Sequence, residues 1–445
     1  MWDLLKGKRH ITSAQVIMLG FAGMILAGTL LLMLPFAARA GASASFSDAL
    51  FTATSAVCVT GLIVQDTATY WSEFGQAVIL MMIQVGGLGV VTAATAVTIV
   101  SGKKISLKQR STMQEALSAH QVGGIVRLTG FILRVTFLME LLGALVMAPV
   151  FIRDFGWPRG IWMAVFHSVS AFCNAGFDLM GVRERFSSLT SYVFNPVINI
   201  AVICLIIIGG IGFLTWEDIR TNTIHWKRYR LQSKVILSVT GILIGCAVVY
   251  FFFFEFGELP LGQRLLVSLF QSVTPRTAGF NTADLTALSE TGQAVTIILM
   301  LIGGSPGSTA GGMKTTTAAV LFICAFCIFR RRDNAGAFGR RIADEAVKNA
   351  ATIVLMYITL FLLGGLIISR LEDLPLGACL FETASAIGTV GLTLGITPAL
   401  GLVSRVILMI LMFFGRVGGL TLIFATLSGS RQYYSRLPQE KITVG

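Results

Sequence analysis

The segment at residues 386–392 has the sequence Ala-Ile-Gly-Thr-Val-Gly-Leu. It follows a short apolar stretch at residues 374–386, well below the roughly 20 apolar residues that a membrane-spanning helix needs. Three other short helices, at residues 45–57, 160–172 and 261–274, also end in glycine loops. Those loops are Cys58-Val-Thr-Gly-Leu62, Cys173-Asn-Ala-Gly-Phe177 and Pro275-Arg-Thr-Ala-Gly-Phe-Asn281.

The four loop glycines lie 103 to 115 residues apart, which is the spacing of an internal repeat. Apolar runs long enough to span a membrane flank each short helix: 11–34 and 74–100, 125–151 and 193–216, 235–254 and 293–329, 350–369 and 402–427. Each return span also holds a Gly pair after Val or Ile, at 86–87, 209–210, 303–304 and 418–419. The sequence therefore predicts four tandem units, at residues 1–110, 111–234, 235–345 and 346–445, the last including a C-terminal tail.

The composition indicates a polytopic membrane protein. The chain is 55% hydrophobic and 13% charged, and its mean hydropathy is +0.79. A soluble domain carries about 25% charged residues. The net charge of +12 is concentrated in short segments between apolar runs, which favours an anionic membrane surface as the partner and excludes a nucleic-acid-binding domain.

The position of the positive charges predicts the topology. Five segments, the two termini and the three connections between units, hold 21 of the 34 lysines and arginines. Cytoplasmic segments carry this excess. We therefore expect cytoplasmic termini, eight full spans and four glycine loops that enter from outside. The basic residues of the termini and of the first connection are Lys6, Lys8, Arg9, Lys103, Lys104, Lys108, Arg110, Arg431, Arg436 and Lys441.

Four glycine loops at membrane depth predict a shared cation site. Irregular backbone inside a membrane is tolerated where protein buries it or where it lines a watery cavity. Four such loops would meet at a pseudo-fourfold axis with their carbonyls facing a dehydrated monovalent cation, favoured by the C-terminal dipoles of the short helices. Thr-Val-Gly at 389–391 is similar to the potassium-channel filter. The alternative, glycines that only let helices pack closely, explains one glycine better than four matched ones.

These motifs resemble the Trk/Ktr/HKT superfamily of cation transporters, and within it the KtrB type of potassium-translocating subunit. The resemblance covers almost the whole chain. It implies a selectivity filter for potassium, with glycine rather than serine at residue 61 favouring potassium over sodium. Only the fourth loop has the order found in channels, so discrimination is expected to be looser. The implied filter residues are Val59, Thr60, Gly61, Asn174, Ala175, Gly176, Thr277, Ala278, Gly279, Thr389, Val390 and Gly391.

The third return span is interrupted at residues 303–317, which the resemblance identifies with an intramembrane gating loop. Gly, Ser, Thr and one Pro continue a helix poorly, so such a loop below the filter could plug the pore and move; a static kink is the alternative. Arg416, a charge within the last span, is a functional candidate by default. An Arg held only for packing is the alternative. The predicted gate residues are Gly303, Gly304, Ser305, Pro306, Gly307, Ser308, Thr309, Ala310, Gly311, Gly312, Lys314 and Arg416.

The predicted function is potassium uptake across the bacterial plasma membrane. Asp66 and Asp178 lie beside two loops, where they concentrate cations or are ordinary vestibule residues. The resemblance implies a homodimer, helped by the tail at 441–445, and a cytosolic KtrA-type ring that binds ATP or ADP. This chain itself is expected to hold no cofactor besides potassium in the filter. One alternative is a sodium-translocating subunit of the same superfamily, the ATPase-associated type. The others are a membrane enzyme and a non-conducting scaffold. Against an enzyme, the sequence places no cluster of polar catalytic residues at membrane depth. Sodium coupling remains open.

Overall fold

The structure, a computed structural model, describes residues 12–39, 43–100, 105–117, 124–332, 334–426 and 440. Several basic residues on which the predicted topology rests lie outside these ranges: Lys6, Lys8, Arg9, Lys103, Lys104, Arg431, Arg436 and Lys441. The tail segment 441–445, which we expect to help a dimer, also lies outside them.

The described chain is mostly helical, and short helices alternate with longer ones along it. In unit 1 they are α1 Ser13–Leu32, α2 Phe46–Val57, α3 Thr67–Tyr70, α4 Glu73–Leu88, α5 Val90–Val100 and α6 Leu107–Ala116. In unit 2 they are α7 Ile125–Phe155, α8 Trp157–Phe172, α9 Pro196–Gly210 and α10 Phe213–Asn222.

Units 3 and 4 complete the helical order. They contain α11 Leu231–Tyr250, α12 Leu261–Val273, α13 Glu290–Leu301, α14 Thr315–Phe329, α15 Asp344–Glu372, α16 Leu376–Gly388, α17 Leu402–Val417 and α18 Gly419–Thr426. A π-helical turn, Phe251–Glu255, extends α11. A two-stranded antiparallel hairpin, Gly336–Ala337 with Arg340–Arg341, connects α14 to α15.

Four long helices present the lipid-facing surface of the molecule. They are α1, α7, α11 with its extension, and α15, and each is long and apolar enough to cross a membrane. Only 28–33% of the residues in their apolar windows are buried. An apolar surface of this extent is stable in contact with lipid rather than with water.

The short helices α2, α8, α12 and α16 are the inner layer. Their C-terminal turns are enclosed, as the burial of Val57, Phe172, Val273 and Ile387 shows. α2 begins at a Ser45 cap whose side chain accepts from the Asp48 amide, which satisfies one of the free N–H groups of the first turn. Each of these helices ends just before its glycine loop, so the four helix ends lie in the middle of the molecule.

The return spans of units 1, 2 and 4, which the sequence analysis predicts as continuous, are each interrupted. α4 and α5 meet at a 96° bend, α9 and α10 at a 95° bend, and α17 ends at Gly418 before α18 begins. The breaks occur at Gly89, Gly212 and Gly418, which have φ of 85–93°, a conformation that ends a helix and that glycine adopts without steric cost. By length and composition, four described helices can span a membrane, or six if each bent pair counts as one. Eight full spans thus stays a prediction.

Candidate functional site

The four glycine loops share one backbone pattern. The residue two positions before each glycine has a positive φ, between 49° and 68°, and the glycine itself has a φ between 68° and 96°. Left-handed conformations are rare for residues other than glycine, so their occurrence at four matched positions reflects a common constraint. The first member of each pair is Val59, Asn174, Thr277 or Thr389. This alternation turns successive carbonyls toward one side of each loop.

The four loop glycines lie against one another in a closed ring. A Cβ atom on Gly61 would meet the carbonyl of Ala175 at 2.5 Å, and one on Gly176 would meet that of Ala278 at 2.9 Å. A Cβ atom on Gly279 would likewise meet the Val390 carbonyl, and one on Gly391 the Thr60 carbonyl. Each glycine therefore packs against the next unit, and the fourth packs against the first. Backbone from four units can approach this closely only where no side chain intervenes.

Serine and threonine side chains fasten each loop to its own short helix, an arrangement that the sequence analysis missed. Ser55 and Ser385 accept from the N–H groups of Gly61 and Gly391 at 3.0 and 2.9 Å. Ser170 donates to the carbonyl of Phe177 at 2.7 Å, and Thr274 donates to that of Phe280. The signal was present in three units, because a serine stands six residues before Gly61, Gly176 and Gly391.

Several buried side-chain oxygen atoms in the loops lack a hydrogen-bond partner within the described protein. The hydroxyls of Thr60 and Thr389 and the amide oxygen of Asn174 have no hydrogen-bond partner among the described protein groups. Buried polar atoms nearly always have a partner. Oxygen atoms at the C-terminal ends of four helices suit a monovalent cation, because each helix end carries partial negative charge. The donor set of this ring therefore fits a monovalent cation.

The 303–317 loop lies directly beneath the ring. Cβ atoms on Gly311 and Gly312 would collide with Thr389 and with the Gly388 carbonyl. Its base is paired, since Gly303 N donates to Met313 O at 2.8 Å and Thr315 N donates to Gly304 O at 2.9 Å. The residues between these pairs form a compact segment, the excursion, whose two ends are joined by these hydrogen bonds. The excursion covers the inner side of the glycine loops.

Hydrogen bonds to backbone carbonyls hold the excursion in place, and most of these carbonyls lie where the return spans are interrupted. Ser305 N and Thr309 N donate to Gly210 O and Gly209 O at 3.0 and 3.2 Å. The hydroxyl of Thr309 donates to the carbonyl of Phe172 at 3.0 Å. The last carbonyls of a helix have no partner within the helix, so the ends of α8 and α9 provide these acceptors.

Arg416 connects this loop to unit 1. Its guanidinium donates to the carbonyls of Thr309 and Gly86, and also to that of Gly87 at 2.9 Å. Lys314 donates to the Ala310 and Gly311 carbonyls at 2.9 and 3.3 Å. Two basic side chains thus lie beneath the ring, both bound to carbonyl oxygens.

The structure corrects the register of the fourth Gly pair. Gly86 and Gly209 pack against Val57 O and Phe172 O, at the ends of their short helices, and Gly415 packs equivalently against Ile387 O. The spacing Gly-x-x-Gly, at 86–89, 209–212 and 415–418, therefore marks equivalent positions, and Arg416 takes the place of Gly87 and Gly210.

A cavity of about 300 Å³ lies on the inner face of the 303–317 loop. Gly307, Met313, Lys314 and Arg416 line it, together with the broken helix ends at Gly89 and Gly418 and with Glu115. The glycine-loop residues are absent from its described lining. The 303–317 loop is thus the wall between the ring and this cavity.

At the opposite side of the ring, Asp66 and Asp178 have different surroundings. Asp66 caps α3 and accepts from the amides of Ala68, Thr69 and Phe186 at 2.8–3.1 Å. Asp178 accepts from the Met180 amide at 2.8 Å. Burial raises the pKa of Asp178 to about 7; the Met180 amide lowers the pKa and the neighbouring Asp66 raises it further. Burial thus disfavours the charged form of Asp178, whereas the carboxylate of Asp66 accepts the hydrogen bonds of its helix cap.

Arg276 is buried, although it stands in one of the glycine loops that the sequence predicts to enter from outside. It is 7% exposed, behind the third loop, and donates to the hydroxyl of Thr240 at 3.2 Å. Among the described residues, no carboxylate pairs with it and its Nε has no partner. The positive charge at this position therefore carries no information about topology.

Comparison with known proteins agrees with this geometry. The family model TrkH, described as cation transport protein, matches residues 11–433. The chain is 40% identical over 449 residues to the potassium/sodium uptake protein NtpJ of Enterococcus hirae, covering 98% of both chains. It is 37% identical to the Ktr system potassium uptake protein B of Bacillus subtilis, covering 98% of this chain and 97% of that one.

The fold also matches a solved structure. The crystal structure of the potassium transporter TrkH from Vibrio parahaemolyticus superposes with a TM-score of 0.74, at 18% identity, covering 94% of this chain and 86% of that one. This likeness shows the fold, and the sequence matches show the family. The chain is a membrane transporter of the Trk/Ktr superfamily, similar to the KtrB type rather than to any enzyme, and it belongs to the TrkH family of cation transport proteins.

Proposed function

We propose that the chain takes up potassium through the ring formed by its four glycine loops. The observation that carries this proposal is the closed contact of Gly61, Gly176, Gly279 and Gly391, with a positive φ at both matched positions of every loop. Rings of backbone carbonyls replace the hydration shell of potassium in channels. The names of two relatives, a potassium/sodium uptake protein and a potassium uptake protein B, support the same substrate.

In this proposal the four units surround a pseudo-fourfold pore in the membrane. Eight crossings place the glycine loops near the outer face and both termini in the cytoplasm. The connections rich in Lys and Arg support this orientation. In four of the crossings the helix is broken beneath the ring, where the free carbonyls and the 303–317 loop meet.

The 303–317 loop is the gate of the proposed pathway. It separates the ring from the inner cavity and is joined to units 2 and 4 through carbonyl hydrogen bonds. Arg416 and Lys314 add positive charge where a cation leaves the ring, which raises the barrier to exit. Opening requires the loop to release Arg416 and the carbonyls of α8 and α9.

Regulation comes from outside this chain. Two relatives are named as parts of Ktr systems, which supports a separate partner. We propose a cytosolic KtrA-type ring that binds ATP or ADP and docks on the basic inner connections, with two copies of this chain forming a homodimer.

A second candidate, sodium transport, is favoured by the name of the Enterococcus hirae relative, which includes both ions. Flux of isotopic potassium and sodium into proteoliposomes, with and without a sodium gradient, distinguishes the two. Potassium uptake that exceeds sodium uptake supports the proposal. Sodium uptake that exceeds potassium uptake supports the second candidate, and no flux of either ion contradicts both.

A further inference from the structure

A buried carboxylate accepts hydrogen bonds from the segment that follows the fourth glycine loop. Glu382 lies on α16, nine residues before Gly391, and is completely buried. Its carboxylate accepts from the hydroxyl of Thr393 and from that of Thr397 at 2.9 Å, and the Leu394 amide also interacts with it. One side chain thus holds three residues of the segment that follows the loop.

The equivalent position in unit 2 makes a similar contact. His167 lies nine residues before Gly176, is completely buried, and its Nε2 accepts from the Leu179 amide at 3.3 Å. Its Nδ1 lies 2.8 Å from the Met163 carbonyl, to which it donates in the tautomer that leaves Nε2 as an acceptor. Leu179 and Leu394 both follow their loop glycine by three residues. Units 2 and 4 are opposite each other in the ring.

Helix packing alone does not account for Glu382. A buried carboxylate costs free energy unless it is hydrogen-bonded, and an apolar residue of similar volume fills such a site at lower cost. No lysine or arginine among the described residues forms an ion pair with it. Its hydrogen bonds all go to the segment leaving the loop, so its contribution is the position of that segment.

We propose that Glu382 is a positioning residue that sets the spacing of the carbonyl ring at Val390 and Gly391, and with it the preference for potassium over sodium. Ser385 holds Gly391 N at 2.9 Å and Glu382 holds Thr393, so only Leu392 separates the two anchored residues. The selectivity of a carbonyl filter depends on the size or the dipole field of its ring. This inference rests on the proposed function of the ring.

The test measures the ratio of potassium to sodium flux in proteoliposomes. We expect Glu382→Ala to lower the ratio about tenfold, as expected for lost hydrogen bonds to a charged group. Glu382→Gln, which keeps an acceptor oxygen, restores most of the ratio. The double variant Thr393→Val/Thr397→Val lowers it as far as Glu382→Ala does, and combining all three changes adds nothing further.

Two additional variants make the outcome decisive. Thr383→Val is the matched control, since Thr383 is a buried neighbour on α16 that donates within the helix to Cys379 O at 3.0 Å. Gly391→Ser tests the ring itself. An unchanged ratio in Glu382→Ala, or additive losses in the combined variant, overturns this inference if Gly391→Ser lowers the ratio. An unchanged ratio in Gly391→Ser overturns the proposed function instead. If Glu382→Ala does not fold, Thr393→Val/Thr397→Val carries the same test.

Discussion

Gly391 combines a φ of 96° with direct contact to Thr60 and Gly61 of the first unit. Any other L-residue pays about 1–2 kcal/mol for a left-handed backbone, and its Cβ atom would enter the ring. We predict that Gly391→Ser lowers the ratio of potassium to sodium flux severalfold without abolishing transport, measured by isotope uptake in proteoliposomes.

The control for this substitution is Gly377→Ser, at the start of the same helix, where a Cβ atom would meet no atom within 4 Å. Equal ratios in the two variants would reject the assignment of Gly391 to the filter.

Arg416 bridges the loop beneath the ring and the end of α4 through three carbonyls. We predict that Arg416→Gln raises cation flux severalfold, because it removes a fixed positive charge from the exit and one attachment of the loop. The measurement is initial uptake at matched protein density. Arg370→Gln, a change at an exposed position on α15, is the control. Flux equal to or below that of the control would contradict a barrier at Arg416.

At the residue scale, the sequence singled out the four glycines that the structure packs against one another, but it did not indicate the atoms that hold them. The glycines stand out because they repeat at one spacing. The anchors Ser55, Ser170 and Ser385 lie on apolar helices, where a single serine is unremarkable until four helices are aligned by their loops. The burial of Arg276 was missed because charge counting assigns a residue to the loop in which it stands and takes no account of packing.

At the scale of helices and loops, the main feature of the molecule is the interruption of its return spans. The hydrogen bond from Gly303 N to Met313 O joins the two ends of the excursion in the 303–317 loop. The excursion can therefore be shortened without moving α13 or α14. We predict that deleting residues 306–310 raises flux, because the excursion covers the inner side of the ring. Ser308→Ala, which keeps the loop length and loses one local hydrogen bond to Ser305 O, is the control. A folded deletion variant with unchanged or reduced flux would rule out a gating role.

Sequence patterns predicted the existence of the helices better than their continuity. An apolar run over residues 74–100 satisfies the requirements of one span, yet Gly89 turns the helix by 96°. A hydropathy profile does not detect one residue with a positive φ, so it predicts a single continuous helix here. The spacing Gly-x-x-Gly was the available signal. The break in unit 3 was recognised because it contains several polar residues and a proline.

At the scale of the whole molecule, unit 4 must meet unit 1 to close the ring. Arg405 on α17 donates to Asp48 on α2 at 2.9 Å, and the two side chains are 20% and 15% exposed. Breaking a partly buried pair leaves a charge without its partner. We predict that Asp48→Asn destabilises the protein by about 1–3 kcal/mol, between the values for exposed and buried pairs.

Thermal unfolding in detergent measures this effect. Arg341→Gln, which breaks the exposed pair with Asp344, is the control and is expected to change the melting temperature little. A similar loss of stability in both variants would argue against a special contribution at the junction of units 1 and 4.

The helical, TrkH-like fold of a membrane protein could be predicted because apolar runs and short helices before glycine loops recur at the scale of whole units. The span count and the cytoplasmic termini stay predictions. The regulatory partner and the dimer could not be read from the residues alone, since no segment of this chain carries their chemistry, and they entered through family resemblance.

The central claim is that the four glycine loops bind the transported ion at one site. The most direct measurement is anomalous diffraction from crystals soaked in thallium or rubidium salts. We predict a peak on the axis of the ring, among the carbonyls of Thr60, Ala175, Ala278 and Val390, that potassium reduces by competition. A strong peak elsewhere with none at the ring would contradict the account.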